Sequence, residues 1–150
     1  MPRKTIDSPV GALTLTEADG AITGLSWGGE GADDTPLLRA ATEQLDDYFA
    51  NRRKVFDLPL EVRGSDAQAR ICAAVAAIPF GETRTYGDLA RDLDLPAQAV
   101  GRGCGGNPIP VLIPCHRVLG AQGLGGFSGG TGIETKIWLL RHEGAAGLLI

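Results

Sequence analysis

The chain has 150 residues, 43% hydrophobic and 21% charged, with a formal net charge of −4 and a mean hydropathy of +0.02. This is the composition of one ordinary globular domain, or of two small ones, and it argues against disorder. No apolar run approaches the ~20 residues of a membrane-spanning helix, no apolar core follows Arg3 and Lys4 as in an export signal, and three cysteines are an odd number for a disulfide scaffold; a reduced, cytoplasmic setting without a membrane partner is expected.

Charge and glycine are both uneven. Residues 1–63 carry seven Lys/Arg against eleven Asp/Glu, whereas residues 64–150 carry seven of each. Over residues 95–142, Arg102, Arg117, Lys136 and Arg141 stand against Glu134 alone, a local +3 that leaves room for a small basic face in an acidic protein. Eleven of the 22 glycines fall between Gly101 and Gly132, which points to tight turns around something that must approach backbone closely.

Gly11 to Thr16 reads as a strand with Leu13 and Leu15 on one face. Asp19-Gly20 is a hairpin turn, and Ala21 to Trp27 returns. Leu37, Leu38, Ala41, Leu45, Tyr48 and Phe49 form a helical stripe that begins at Pro36, with Thr35 as its N-cap. Phe56 to Val62 reads as a further short strand. A junction is expected at Gly64. Ser65 then caps a helix burying Ile71, Cys72, Val75 and Ile78. Thr85 caps a short helix carrying Leu89, Ala90 and Leu93. After Pro96, the residues Ala97, Val100 and Cys104 follow at helical spacing, so two helices across a tight turn suggest a helix-turn-helix. Ile133, Ile137 and Leu140 mark a last amphipathic helix ending at Gly144.

Cys115-His116 is the sharpest chemical feature. A free thiol is only about 3% thiolate at neutral pH, and an imidazole that accepts its proton, directly or through water, raises that fraction. The same pair is also compatible with a buried cysteine beside an unrelated histidine. Glu143, at the end of the last helix, could bond one nitrogen of His116 and strengthen it as a base, or be a solvated helix terminus. Cys72 and Cys104 read as small core residues. No CxxC or HxxxH spacing supports a metal site.

The run from Asn107 through Pro114-Cys115-His116-Arg117-Val118 resembles the active-site signature of the O6-alkylguanine-DNA alkyltransferases, also called methylated-DNA–protein-cysteine methyltransferases. Ile78-Pro79-Phe80-Gly81-Glu82-Thr83 with Tyr86-Gly87-Asp88-Leu89-Ala90, then Phe127-Ser128-Gly129-Gly130, then Lys136 to Gly144 are similar to further blocks of that family, in its order. The resemblance implies a mixed α/β chain. Residues 1–63 would be a small ribonuclease-H-like sheet-and-helix domain, and residues 64–150 a winged helix-turn-helix catalytic domain.

By the same resemblance, Cys115 is the alkyl acceptor, His116 its base acting through a water, and Glu143 the support behind His116. Asn107 ties the helix-turn-helix to the active-site segment, and Tyr86 donates to guanine N3. Ser128, with Phe127 and Gly129, lies in the loop that meets the base, and the carbonyls of Cys115 and Val118 accept from its exocyclic amine. Thr85, Ala97, Gln98 and Arg102 fall on the DNA-binding side. The implied partner is double-stranded DNA carrying a flipped O6-alkylguanine, met by a monomer without cofactor or metal.

There are departures. Gln98 stands where the family usually has the Arg that fills the gap left by the flipped base. Ala67 and Cys72 stand where aromatic residues are common, and the zinc ligands of some members have no counterpart. Two rival readings share these residues: a non-catalytic lesion-binding relative, for which Gln98 speaks and Cys115 does not, and a hydrolase or thiol transferase acting on a small molecule.

Overall fold

A computed structural model of the chain describes residues 1–127 and 129–145, which form two compact units that divide between Arg63 and Gly64. In the first unit, three antiparallel strands run in the order β1 (Arg3–Ile6), β2 (Leu13–Ala18) and β3 (Ala21–Trp27). Asp19 and Gly20 both take positive φ, as a two-residue hairpin turn matching the strand twist requires. Leu13, Leu15, Ile22 and Leu25 form the buried face of the sheet. Helix α1 (Pro36–Phe49) covers that face with Leu38, Ala41, Leu45 and Tyr48, and the Thr35 side chain accepts from the Leu38 amide at 3.0 Å to cap it.

One expectation for this unit fails, and one element was not expected. The stretch from Phe56 to Val62 is not a strand: it makes a single bridge to the sheet, Leu60 opposite Ile22, with Ile22 N donating to Pro59 O and Glu61 N to Ile22 O. Pro59 has no amide to extend a ladder. Conversely, β1 is a strand that the sequence hides. It is a short outer strand whose free side is bridged at Lys4 to Ala32, with Thr5 N donating to Gly31 O and Asp33 N to Arg3 O, and of its residues only Ile6 is buried.

The second unit is built around α2 (Asp66–Ala76), capped by Ser65 and burying Ile71, Cys72 and Val75. Helix α3 (Tyr86–Leu93) opens with a reciprocal capping box: Thr85 Oγ1 accepts from Asp88 N, and Asp88 Oδ2 accepts from Thr85 N. A turn through Asp94, held at φ 55°, leads to α4 (Ala97–Gly105), which buries Val100, Gly103 and Cys104. Ala97 is exposed and does not extend that buried stripe. The helix pair is followed by the segment bearing Cys115, a single 3₁₀ turn over Cys115–Arg117. The short strand β5 (Val118–Leu119) then pairs in parallel with β4 (Arg84–Thr85).

The last helix, α5 (Ile133–His142), faces inward with Thr135, Lys136, Leu139 and Leu140, whereas Ile133 is 40% exposed. The expected stripe of Ile133, Ile137 and Leu140 is thus rotated about the helix, because Lys136 carries its charge into the core. At the end of the helix Gly144 takes φ 64°. Its amide bonds Arg141 O, and that of Ala145 bonds Leu140 O, closing the final turn.

Candidate active site

The segment that presents Cys115 is pinned by one side chain. Asn107 Nδ2 donates to Ile113 O at 2.8 Å, and its Oδ1 accepts from Ile109 N at 3.0 Å. Between those anchors Val111 takes φ 72°, a left-handed conformation that costs a β-branched residue of order 1–3 kcal/mol and persists only where its surroundings impose it. Asn107 and the Ile113 N to Ile109 O bond impose it here.

Cys115 is 7% exposed and opens onto a cavity of about 450 Å³, lined also by Tyr86, Gly101, Cys104, Gly105, Gly126 and Phe127. Burial pushes its thiol above the usual range, while hydrogen bonding from Asn107 and the charge of Lys136 pull it back. The neighbouring thiol of Cys104 is pushed up by burial to about 12. The charge of Lys136 favours both thiolates, and Cys115 alone of the two has an amide donor, Asn107, in addition. A shallower groove of similar size on the outer face of α5, lined by Glu134, Ile137, Trp138, Arg141 and His142, shares no residue with this cavity.

His116 is fully buried. Its Nε2 lies 2.7 Å from Glu143 Oε2. Its Nδ1 bonds no protein atom among the described residues, so no direct hydrogen bond joins imidazole and thiol. Burial holds the His116 pKa below its usual value, against the pull of Glu143. Burial alone would raise the Glu143 carboxyl, but hydrogen bonds from His116 and Arg117 outweigh it and hold the carboxyl down to about 2.

Tyr86, the first residue of α3, is half-buried. Its ring packs so closely on the backbone at Gly125 that a Cβ there would lie 2.9 Å from Cε2. Gly125 also takes φ 71°, so glycine is required twice over. Burial raises the Tyr86 phenol, which bonds the backbone at Gly126. Lys136 Nζ donates to Val118 O at 2.6 Å and to Gly126 O at 3.1 Å, and burial lowers its pKa to about 8. The Val118 carbonyl therefore already accepts one bond and keeps one lone pair. The Cys115 carbonyl likewise accepts from Val118 N.

Cys115, Tyr86 and Phe127 are brought to one cavity, and His116 with Glu143 stands behind the thiol. Gly129 is half-exposed, with its carbonyl accepting from Gly132 N at 2.8 Å. Ser128 lies outside the described residues. Gln98 and Arg102 are exposed at i and i+4 on α4, and Ala97 is exposed beside them. The Thr85 hydroxyl is engaged in capping. Sequence reasoning missed Arg117 and Lys136, both buried cations. Their signal was available: a charged residue inside an apolar run, and a lysine in register with Leu139 and Leu140.

Comparison with known proteins gives the family of the chain. Residues 66–145 match the family described as 6-O-methylguanine DNA methyltransferase, DNA binding domain, and residues 1–62 match its ribonuclease-like domain. The chain belongs to the 6-O-methylguanine DNA methyltransferase family. It is 42% identical over 151 residues to a methylated-DNA–protein-cysteine methyltransferase of Mycolicibacterium paratuberculosis, covering 93% of this chain and 90% of the relative. It is 36% identical over 154 residues to the constitutive enzyme of that name from Bacillus subtilis, covering 93% of each. Among solved structures, Mycobacterium tuberculosis OGT in complex with DNA superposes with a TM-score of 0.87 at 41% identity, covering 97% of this chain and 94% of that one. Among the described residues, no helix is long and apolar enough to cross a membrane.

Proposed function

We propose that this chain repairs DNA by transferring the alkyl group of O6-alkylguanine to Cys115, once and irreversibly. The observation that carries this reading is the Cys115 thiol at the wall of a base-sized cavity, backed by the buried His116–Glu143 pair. In the resting protein burial disfavours the thiolate, so the thiol must lose its proton as it reacts. His116 Nδ1 is the open acceptor, through a water, and Glu143 holds the imidazolium that forms.

The sulfur–carbon bond then forms as the carbon–O6 bond breaks, and the electron pair leaves with guanine. Donors aimed at the base lower that barrier. Tyr86 is assigned to N3, and Phe127, Ser128 and Gly129 to O6. The carbonyls of Cys115 and Val118 keep lone pairs for the exocyclic amine. The reacting atom is inaccessible in a duplex, so the nucleotide is flipped into the cavity. Gln98, Ala97, Arg102 and Thr85 are assigned to the DNA side, and Asn107 to coupling α4 to the reactive segment. Residues 1–63 form the ribonuclease-like domain and residues 64–150 the catalytic one, acting as a monomer in the cytoplasm on double-stranded DNA.

The thioether product is too poor a leaving group for hydrolysis, so one equivalent is the limit. Intact-mass measurement after incubation with an O6-methylguanine duplex tests this. The expected result is a single added methylene on the peptide containing Cys115. Labelling at Cys72 or Cys104, or continued methanol release, overturns it and favours a turnover enzyme.

A further inference from the structure

Arg117 follows His116 directly and has no part in the chemistry above. It is buried, and each nitrogen of its guanidinium donates: Nε to Glu143 Oε1 at 2.8 Å, Nη2 to Glu143 Oε2 at 2.9 Å, and Nη1 to Ile78 O at 2.6 Å. Its Cζ also lies 5.8 Å from the centre of the Phe80 ring. One carboxylate oxygen, Glu143 Oε2, is thus shared between Arg117 and His116 Nε2.

The groups facing His116 are Cys115 and Arg117 on its own turn, and Lys136 and Glu143 from α5. From α2, Cys72 bears on the thiol. Glu143 is the lone anion among them. Answered by His116 alone, its charge would draw a second proton onto the imidazole, leaving both nitrogens as donors and no acceptor. Arg117 answers it instead, and a bidentate guanidinium does so while fixing the plane of the carboxylate. An ionised carboxylate only accepts, so Nε2 must carry the hydrogen and Nδ1 the lone pair.

We propose that Arg117 is a positioning residue for the proton relay: its fork holds and neutralises Glu143, so that His116 rests neutral with its proton on Nε2 and offers Nδ1 to the thiol. This rests on the reading of Cys115 as acceptor and His116 as base. In the step itself the proton leaves Cys115 Sγ for Nδ1 through a water, as sulfur bonds the alkyl carbon and guanine departs with the C–O6 electron pair.

The test joins ¹⁵N NMR of the His116 ring with the pH profile of single-turnover methyl transfer. The wild-type ring is expected neutral, with hydrogen on Nε2, at pH 7. In Arg117→Met the ring takes up a second proton more readily, and the acid limb of the rate profile moves up by about one pH unit, so that transfer slows by up to about tenfold a unit or more below the wild-type midpoint. Arg117→Lys keeps the charge and returns the limb toward its wild-type place. A purely structural role would lower the plateau and leave limb and ring unchanged. That outcome in folded Arg117→Met overturns the proposal. If that variant does not fold, the wild-type ring decides, and an imidazolium at pH 7 overturns it. The underlying relay fails separately, if His116→Ala transfers methyl at the wild-type rate and pH dependence.

Discussion

Glu143 stands 27 residues beyond His116 in the chain, yet its Oε2 lies 2.7 Å from the His116 Nε2, with both side chains fully buried. A carboxylate in that position must remain ionised to keep its hydrogen bonds, and its stability contribution is therefore tied to pH.

Folded Glu143 titrates at about 2, below its ordinary value of 4.5, and folded His116 titrates below its ordinary 6.5. In both cases the unfolded chain binds the proton first, so stability falls as pH falls. The His116 contribution is lost below pH 6.5, and that of Glu143 between 4.5 and about 2. The Glu143 share is about 3 kcal/mol. Urea midpoints between pH 7 and pH 3 should drop steeply in the wild type. Glu143→Gln should be less stable at pH 7, with the gap closing toward pH 3. A constant gap would mean that Glu143 is not held ionised by its partners.

Tyr86→Phe removes the phenol from the cavity and leaves the ring packed on Gly125. If the hydroxyl acts as charge develops on guanine, methyl transfer should slow by at least about tenfold while duplex affinity hardly moves. Stopped-flow transfer and equilibrium binding on one duplex separate the two. Equal losses in both would assign Tyr86 to docking.

Gln98 shares the exposed face of α4 with Arg102. Gln98→Arg should tighten duplex binding and steepen its salt dependence by about one phosphate contact. It should speed repair in duplex DNA and leave reaction with free O6-benzylguanine nearly unchanged, since that base needs no extrusion. Equal rate gains on both substrates would place the effect of Gln98 inside the active site. No change on either would pass the gap-filling role to Arg102.

Two glycines of α4 should respond in opposite directions. A Cβ on Gly103 would lie 2.5 Å from Ile71 Cδ1, whereas one on Gly101 meets nothing within 4 Å. Gly103→Ala should destabilise by about 1–2 kcal/mol, because overpacking outweighs the gain in helix propensity. Gly101→Ala should stabilise by up to about 1 kcal/mol. Gly101 also lines the cavity, so its alanine variant should slow bulky alkyl groups more than methyl. Thermal unfolding of the pair checks the signs, and destabilisation by both would show that α4 is set by more than local space.

Much of this protein is written in local signals. Thr35, Ser65 and Thr85 cap the helices that follow them, and Asp19-Gly20 turns the hairpin, because capping and turn geometry depend on a few adjacent residues. The Cys115-His116 pair and the glycine-rich stretch marked where chemistry was to be sought. Periodicity failed where neighbours distant in sequence decided. Phe56 to Val62 has strand-like residues, but Pro59 leaves it a single bridge on Ile22, and Arg3–Ile6 becomes a strand only because β2 pairs with it. The inward face of α5 was set by Lys136, whose charge is tolerated in the core because the Val118 and Gly126 carbonyls receive it. Arg117 shows the same limit. A run of residues states that a cation is present, but only the packed chain brings the Glu143 carboxylate and the Ile78 carbonyl to it, and without such partners a buried charge is too costly to keep.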